Sequence, residues 1–335
     1  MGINLNTTQV NSEIPTLSLD DVICRYALSN RAEGKSDKTT IWYSEMLGAF
    51  TRYLAERNEA GDFSSFTISA VRQYILYLRD KPRFGCNPSA ATQVRTLSPR
   101  TIQCHVRALK AFSSWLHVEG YTEENRLQNL KLPKAPTLLI EPLTPEEINE
   151  IISCIDRKSP IGIRNHAIVV TLFDTGLRAS ELAGIKLTDL NLEGGFLKVM
   201  GKGSKERTVP IGRYVRMILL NYIENIRSRR SSPDYVFLSP GEKPLTANTL
   251  KLFFSRLAKK SGVGRLHAHL CRHTFAINYL LNGGDIFSLK EILGHTTLEM
   301  VNHYLHFTSS QITEQHHKYS PMDKLQRERN TAEDN

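Results

Sequence analysis

Apolar residues recur at three- and four-residue intervals over most of the first 130 positions. Leu17, Leu19, Val22, Ile23 and Tyr26 mark one stretch over Leu17–Ser29, and Trp42, Met46, Phe50, Tyr53 and Leu54 mark a second within Lys38–Arg57. Thr67–Leu78 is a third. That spacing draws one apolar stripe along a helix. Ser98-Pro99 predicts an N-cap followed by proline at the first helical position, opening a fourth helix to about Val118 that Gly120 stops. No strand pattern interrupts the series, so residues 16–130 are expected to form an all-helical domain behind a polar, flexible N-terminus at 1–15.

Residues 131–142 (KLPKAPTLLIEP) hold three prolines, break the helical pattern and read as a linker. Thr144-Pro145-Glu146-Glu147 then supplies an N-cap, a proline at the first position and a glutamate at the third. Helical patterns continue to about Leu182, after which the period changes. Phe196–Met200 and Arg207–Ile211 alternate around Gly201-Lys202-Gly203-Ser204, which predicts a β-hairpin. Helices resume near 212–228, 246–260, 266–281 and 285–293. The expected fold is mainly α with a small antiparallel sheet: the helical domain, then a mixed α/β domain over 143–320 and a polar tail at 321–335.

Composition adds a partner. With 335 residues the chain suits two domains, and Lys plus Arg outnumber Asp plus Glu by 43 to 34, a net charge of +9. That balance favours a polyanion. Between positions 79 and 110 lie Arg79, Lys81, Arg83, Arg95, Arg100, Arg107 and Lys110, opposed only by Asp80, which predicts a phosphate-facing surface. The five cysteines have no paired spacing and fit a reducing cytoplasm. The first fifteen residues do not read as a signal peptide, and no apolar run is long enough to predict a membrane span.

Four separated segments carry chemistry. In Thr175-Gly176-Leu177-Arg178-Ala179-Ser180-Glu181-Leu182 a glycine turn leads into a helix, and Arg178 and Glu181 share a face. Taken alone, that pair reads equally as an exposed ion pair worth under ~1 kcal/mol. Gly201-Lys202-Gly203-Ser204-Lys205-Glu206-Arg207 places a lysine at a hairpin tip, within reach of a phosphate. It is not a nucleotide-binding P-loop, because the glycine spacing, the residue after the lysine and the hairpin context all differ. His269-Leu270-Cys271-Arg272-His273 puts His269 and Arg272 on one helical face. A hydrolytic zinc helix would need Glu where Leu270 stands. Leu293-Gly294-His295 is followed nine residues later by Tyr304.

In this order the segments resemble the tyrosine recombinase (phage integrase) family: a TGLR-x-x-EL box, a GKG-x-K-x-R hairpin, an H-x-x-R-H helix, an LGH turn and a tyrosine about nine residues on. The resemblance covers roughly residues 144–310; on pattern alone, the helical 16–130 segment resembles the family's core-binding domain. It implies an enzyme that cuts and rejoins DNA through a covalent 3′-phosphotyrosine, with strand exchange through a Holliday junction. It implies Arg178 and Arg272 as a clamp on the phosphate, His269 and His295 as hydrogen-bond donors or proton shuttles, and Lys202 as the acid for the departing 5′ oxygen. Glu181 is expected to orient a catalytic histidine, and Tyr304 to be the nucleophile. Lys205 and Arg207 join the basic cluster as expected DNA contacts. No metal or other cofactor is implied. The expected partners are duplex DNA with a specific recombination site and three further copies of the chain. The expected place is the cytoplasm, at the nucleoid. Cys271 replaces the family's common Leu, and the VNHYLH context of Tyr304 lacks the Thr often found before the tyrosine. The N-terminal region is expected to hold no extra arm-binding domain, which resembles Xer-type recombinases. Two other readings remain at this point: a non-catalytic DNA-binding relic, and a type IB topoisomerase.

Overall fold

A computed structural model of the chain describes residues 17–58, 62–81, 96–136, 140–201, 205–227 and 234–295, together with 297, 316 and 320–322. The chain divides into two compact units, Met1–Leu138 and Leu139–Asn335.

The first unit packs helices α1 (Leu19–Ala32), α2 (Asp37–Glu56), α3 (Ile68–Asp80) and α4 (Pro99–Val118). Each opens on a Ser or Thr whose side chain accepts the backbone N–H three residues on: Ser18 from Asp21, Ser36 from Thr39, Thr67 from Ala70 and Ser98 from Thr101. Such caps contribute about 1 kcal/mol each. The buried stripes meet in an aromatic core: Phe66 lies edge-on to Phe50 and to Phe112, with centroids at 5.9 and 5.3 Å. One basic residue proves to be part of this scaffold. The Lys110 ammonium donates to the carbonyls of Leu127, Gln128 and Leu130 at 3.0, 3.0 and 2.6 Å. It closes the turn after α4, which corrects its assignment to the phosphate-facing surface.

The second unit runs α5 (Pro145–Ser153), α6 (Pro160–Thr175), α7 (Ala179–Gly184), strands β1 (Leu190–Asn191), β2 (Phe196–Met200) and β3 (Glu206–Pro210), then α8 (Arg213–Asn225), α9 (Ala247–Ser261), α10 (Ala268–Leu281) and α11 (Ile286–Leu293). Thr144 and Glu147 form the reciprocal capping box at the start of α5. The three strands make one antiparallel sheet in the order β1-β2-β3, with Val199 opposite Arg207 and Met200 opposite Glu206. The hairpin was legible in the alternation; the two-residue β1 carries too little pattern to be seen. The core gathers Ile168, Leu172, Leu182, Leu197, Val209, Leu219, Phe254 and Leu270, all at most 2% exposed. None of the described helices is long and apolar enough to cross a membrane.

Candidate active site

The site begins where α6 must stop. Gly176 adopts φ +61°, and a Cβ there would lie 2.4 Å from Phe275 and 2.9 Å from Leu293. Only glycine satisfies both the left-handed backbone and the close approach of α10 and α11. The chain turns and α7 begins with Arg178 at its N-cap. Glu181, at the third helical position, accepts the Arg178 backbone N–H at 2.9 Å and the Arg178 Nη1 at 2.7 Å. The Glu181 side chain is 5% exposed and the Arg178 side chain 33%. The pair is therefore not an exposed ion pair: its acid is buried and its base partly exposed.

A second arginine completes the carboxylate. Arg207 of β3 donates Nη1 to Glu181 Oε1 at 3.0 Å and Nη2 to Oε2 at 2.9 Å. Its Nε donates to the Ile292 carbonyl in the last turn of α11 at 2.8 Å. The stem passes Gly294, where a Cβ would meet Arg207 Cδ at 2.9 Å and the φ is +63°. The Arg207 side chain is 12% exposed. The expectation that Arg207 contacts DNA is thus corrected: it points inward. A signal was present, since Arg207 shares its strand parity with buried Val209.

A third arginine arrives on α10. Arg272, with its side chain 2% exposed, donates Nη1 to the Gly176 carbonyl at 2.8 Å and Nη2 to the Leu293 carbonyl at 2.7 Å. Its Nη1 stands 4.0 Å from Glu181 Oε2, and its Nη2 stands 2.9 Å from His295 Nε2. A guanidinium only donates, so His295 Nε2 accepts and the ring proton sits on Nδ1. Nδ1 is buried without a hydrogen-bond partner among the described residues.

The electrostatics follow. Burial works against the Glu181 anion, but hydrogen bonds from the Arg207 side chain and the Arg178 backbone outweigh it and hold its pKa below the ordinary value. Burial, reinforced by Arg272, Arg178 and Arg207, pushes the His295 pKa down to about 4, so the ring is neutral at neutral pH. His269, at the exposed rim, is also lowered, by desolvation of its ring and by Arg272. Three guanidiniums around one carboxylate leave a surplus of two positive charges beside a neutral histidine. Glu181 was expected to orient a catalytic histidine. Its described contacts are with Arg178, Arg207 and Arg272, and Arg272 in turn meets His295.

The structure brings Arg178, Glu181, Arg272 and His295 together from α7, α10 and the turn after α11, with His269 one turn from Arg272 on α10. The Gly201 N–H donates to the Lys205 carbonyl at 2.8 Å; Lys202, between them in sequence, lies outside the described residues, as do Tyr304, Arg83 and Arg95. Lys205, Arg79, Arg100 and Arg107 are exposed. Lys81 donates to the Tyr77 hydroxyl at 2.8 Å. Among the described residues no group of three or more His, Cys, Asp or Glu side chains is placed to hold a metal ion.

A buried acid that gathers three arginines, on a helical scaffold with a small sheet, leaves a surplus of positive charge that suits an anion such as a phosphate. Comparison narrows the class. The model of the Phage integrase family matches residues 141–311. The chain is 32% identical to tyrosine recombinase XerC of Bacillus pumilus, over 84% of this chain and 90% of that one. It is 31% identical to tyrosine recombinase XerD of Listeria monocytogenes serotype 4b, over 86% and 94%. Among solved structures, the Tn1549 transposon integrase in complex with transposon right end DNA superposes with a TM-score of 0.68 at 22% identity, covering 89% of this chain and 99% of that one. A lambda integrase dimer bound to a COC' core site gives 0.65 at 19%, covering 85% and 97%. Both share the fold. The chain belongs to the phage integrase family of tyrosine recombinases. It is an enzyme of site-specific recombination that breaks and rejoins DNA strands.

Proposed function

We propose that cleavage proceeds by attack of the Tyr304 phenolic oxygen on a DNA phosphorus. The P–O5′ bond breaks, and the products are a 3′-phosphotyrosine and a free 5′-hydroxyl. His269 takes the phenolic proton, since its lowered pKa leaves the ring neutral and able to accept. Lys202, from the hairpin loop, gives a proton to the departing oxygen. The ester conserves the energy of the broken bond, so the reverse attack rejoins DNA without a nucleotide cofactor. As the phosphorus becomes five-coordinate it gains negative charge, and preorganised donors then contribute most. Arg178 supplies its guanidinium as a forked donor. Arg272 supplies charge from behind, and the neutral His295 offers its Nδ1 proton.

The observation that carries this reading is Glu181, buried and shared between Arg178 and Arg207, which holds the guanidinium of a side chain that stays one-third exposed. The exposed Arg79, Arg100 and Arg107 support DNA-backbone binding by the first unit. Four protomers on two copies of a specific site, exchanging strands through a Holliday junction in the cytoplasm, complete the proposal.

Arg178→Lys and Arg272→Lys test it. Arg178→Lys keeps the charge and loses the fork; Arg272→Lys keeps the charge and loses the bonds to the Gly176 and Leu293 carbonyls and to His295 that hold the site in place. Single-turnover cleavage at saturating protein is expected to fall by roughly 10²-fold or more, the scale of losing one preorganised donor, while DNA affinity stays nearly unchanged. Near-wild-type cleavage by both variants would remove the arginines from the chemistry.

A further inference from the structure

Arg207 connects three parts of the protein that the sequence separates widely. Its two terminal nitrogens grip both oxygens of Glu181, 26 positions away, and its Nε grips the Ile292 carbonyl, 85 positions away. Glu181 in turn holds Arg178. Ile292 lies at the end of α11, two residues before the Gly294 turn that delivers His295. The residue next to Arg207, Glu206, pairs with Met200 at the mouth of the hairpin loop. One guanidinium therefore ties α7, the β-hairpin and the α11 turn at a single point.

We propose that Arg207 is a positioning residue for DNA cleavage, acting through Glu181 on Arg178. Two physical effects support it. The first is geometric: with Oε1 and Oε2 both bonded to Arg207, the carboxylate has one orientation, and the guanidinium of Arg178 has one direction. Bonded to Arg178 alone, the carboxylate would keep the backbone N–H on Oε2 and Nη1 on Oε1 but would lose both bonds that tie it to the hairpin and, through Arg207, to α11; the forked contact to a phosphate tolerates little misplacement. The second is charge. Arg207 neutralises the acid, so the positive charges of Arg178 and Arg272 remain uncancelled where the reaction gains negative charge. Only a guanidinium does both; an ammonium is a point donor that cannot grip two oxygens and a carbonyl from one plane.

The inference rests on the proposal that Arg178 acts on the reacting phosphate, and a double-mutant cycle separates the two. Arg207→Met, Arg178→Lys and the double variant are compared by single-turnover cleavage of a nicked suicide substrate, with DNA affinity and thermal melting measured on the same preparations. R207M is expected to cleave roughly 10²-fold more slowly, comparable to loss of a preorganised donor, with DNA affinity within about threefold of wild type, well under one 1.4 kcal/mol decade. Because both residues act through one contact, the double variant should cleave no slower than about threefold below R178K alone, the signature of coupled sites. A merely structural role would leave the two rate losses multiplying. If R207M does not fold, Arg207→Lys replaces it and should recover charge but not rate. Wild-type cleavage by R207M or R207K, or multiplying losses, would overturn the inference. Wild-type cleavage by R178K would instead overturn the reading of Arg178.

Discussion

Glu181→Gln is the substitution that most exposes how this site is built. The amide keeps the shape and removes the charge. Arg207 and Arg272, whose side chains are 12% and 2% exposed, then lose their nearest anion. The amide nitrogen also points a donor at a guanidinium that itself only donates. Removing one partner of a buried pair costs about 3–5 kcal/mol. At about 2–4 °C per kcal/mol for a unit of this size, Tm should fall by about 6–20 °C at pH 7. The pH dependence carries a definite sign. The Glu181 pKa lies below its ordinary value in the folded protein, so its contribution is fully present above the unfolded value of about 4.3 and is lost as pH falls through the folded one. Wild type and variant should therefore converge in Tm as pH drops below about 4 and separate at neutral pH. Melting followed by circular dichroism from pH 3 to 8 measures both effects. A difference under about 1 °C at pH 7 would mean that the pair contributes no more than an exposed one, and would refute the assignment of Glu181 as the anchor.

Three further outcomes follow from the same geometry. The His295 pKa is pushed down to about 4, against about 6.5 unfolded, so its contribution to stability is present above about 6.5 and is lost as pH falls toward 4; His295→Gln should flatten that part of the Tm–pH curve, and an unchanged slope would contradict the buried neutral ring. Replacing Arg79, Arg100 and Arg107 by Ala should reduce the log–log salt slope of DNA binding by about 0.9 for each phosphate no longer neutralised, while sparing the chemical step; an unchanged slope would mean that these side chains face solvent in the complex. Cleavage should be unaffected by EDTA, because the charge that meets the phosphate is carried by arginine and lysine; loss of cleavage restored by a divalent ion would contradict this.

Much of the fold was legible because its signals are local. The apolar stripes of α1 to α3, the Ser98 cap of α4, the Thr144–Glu147 box and the alternation of β2 and β3 each lie within the element they define or within one turn of it. The site was legible as an ordered set of motifs, but not in its wiring. Arg178 and Glu181 are three apart and read as a pair; that the acid is buried and also shared with Arg207 is not announced by the local spacing, because that bond crosses 26 positions. Lys110 was misread for the same reason: its three carbonyl partners lie 17 to 20 residues downstream. Basic side chains do not reveal from composition whether they face a phosphate or cap a turn. Strand parity was the one neglected signal, since it placed Arg207 on the Val209 face.

Under the proposed mechanism a tyrosine of this chain becomes joined to DNA. Trapping the protein on a nicked duplex that releases its short 5′ fragment, digesting the complex and sequencing the DNA-linked peptide by mass spectrometry tests it most directly. The account predicts a single modified peptide carrying the nucleotide on Tyr304, and no adduct from Tyr304→Phe at unchanged DNA affinity. An adduct on Tyr319, or one of undiminished yield from the Tyr304→Phe variant, would contradict it.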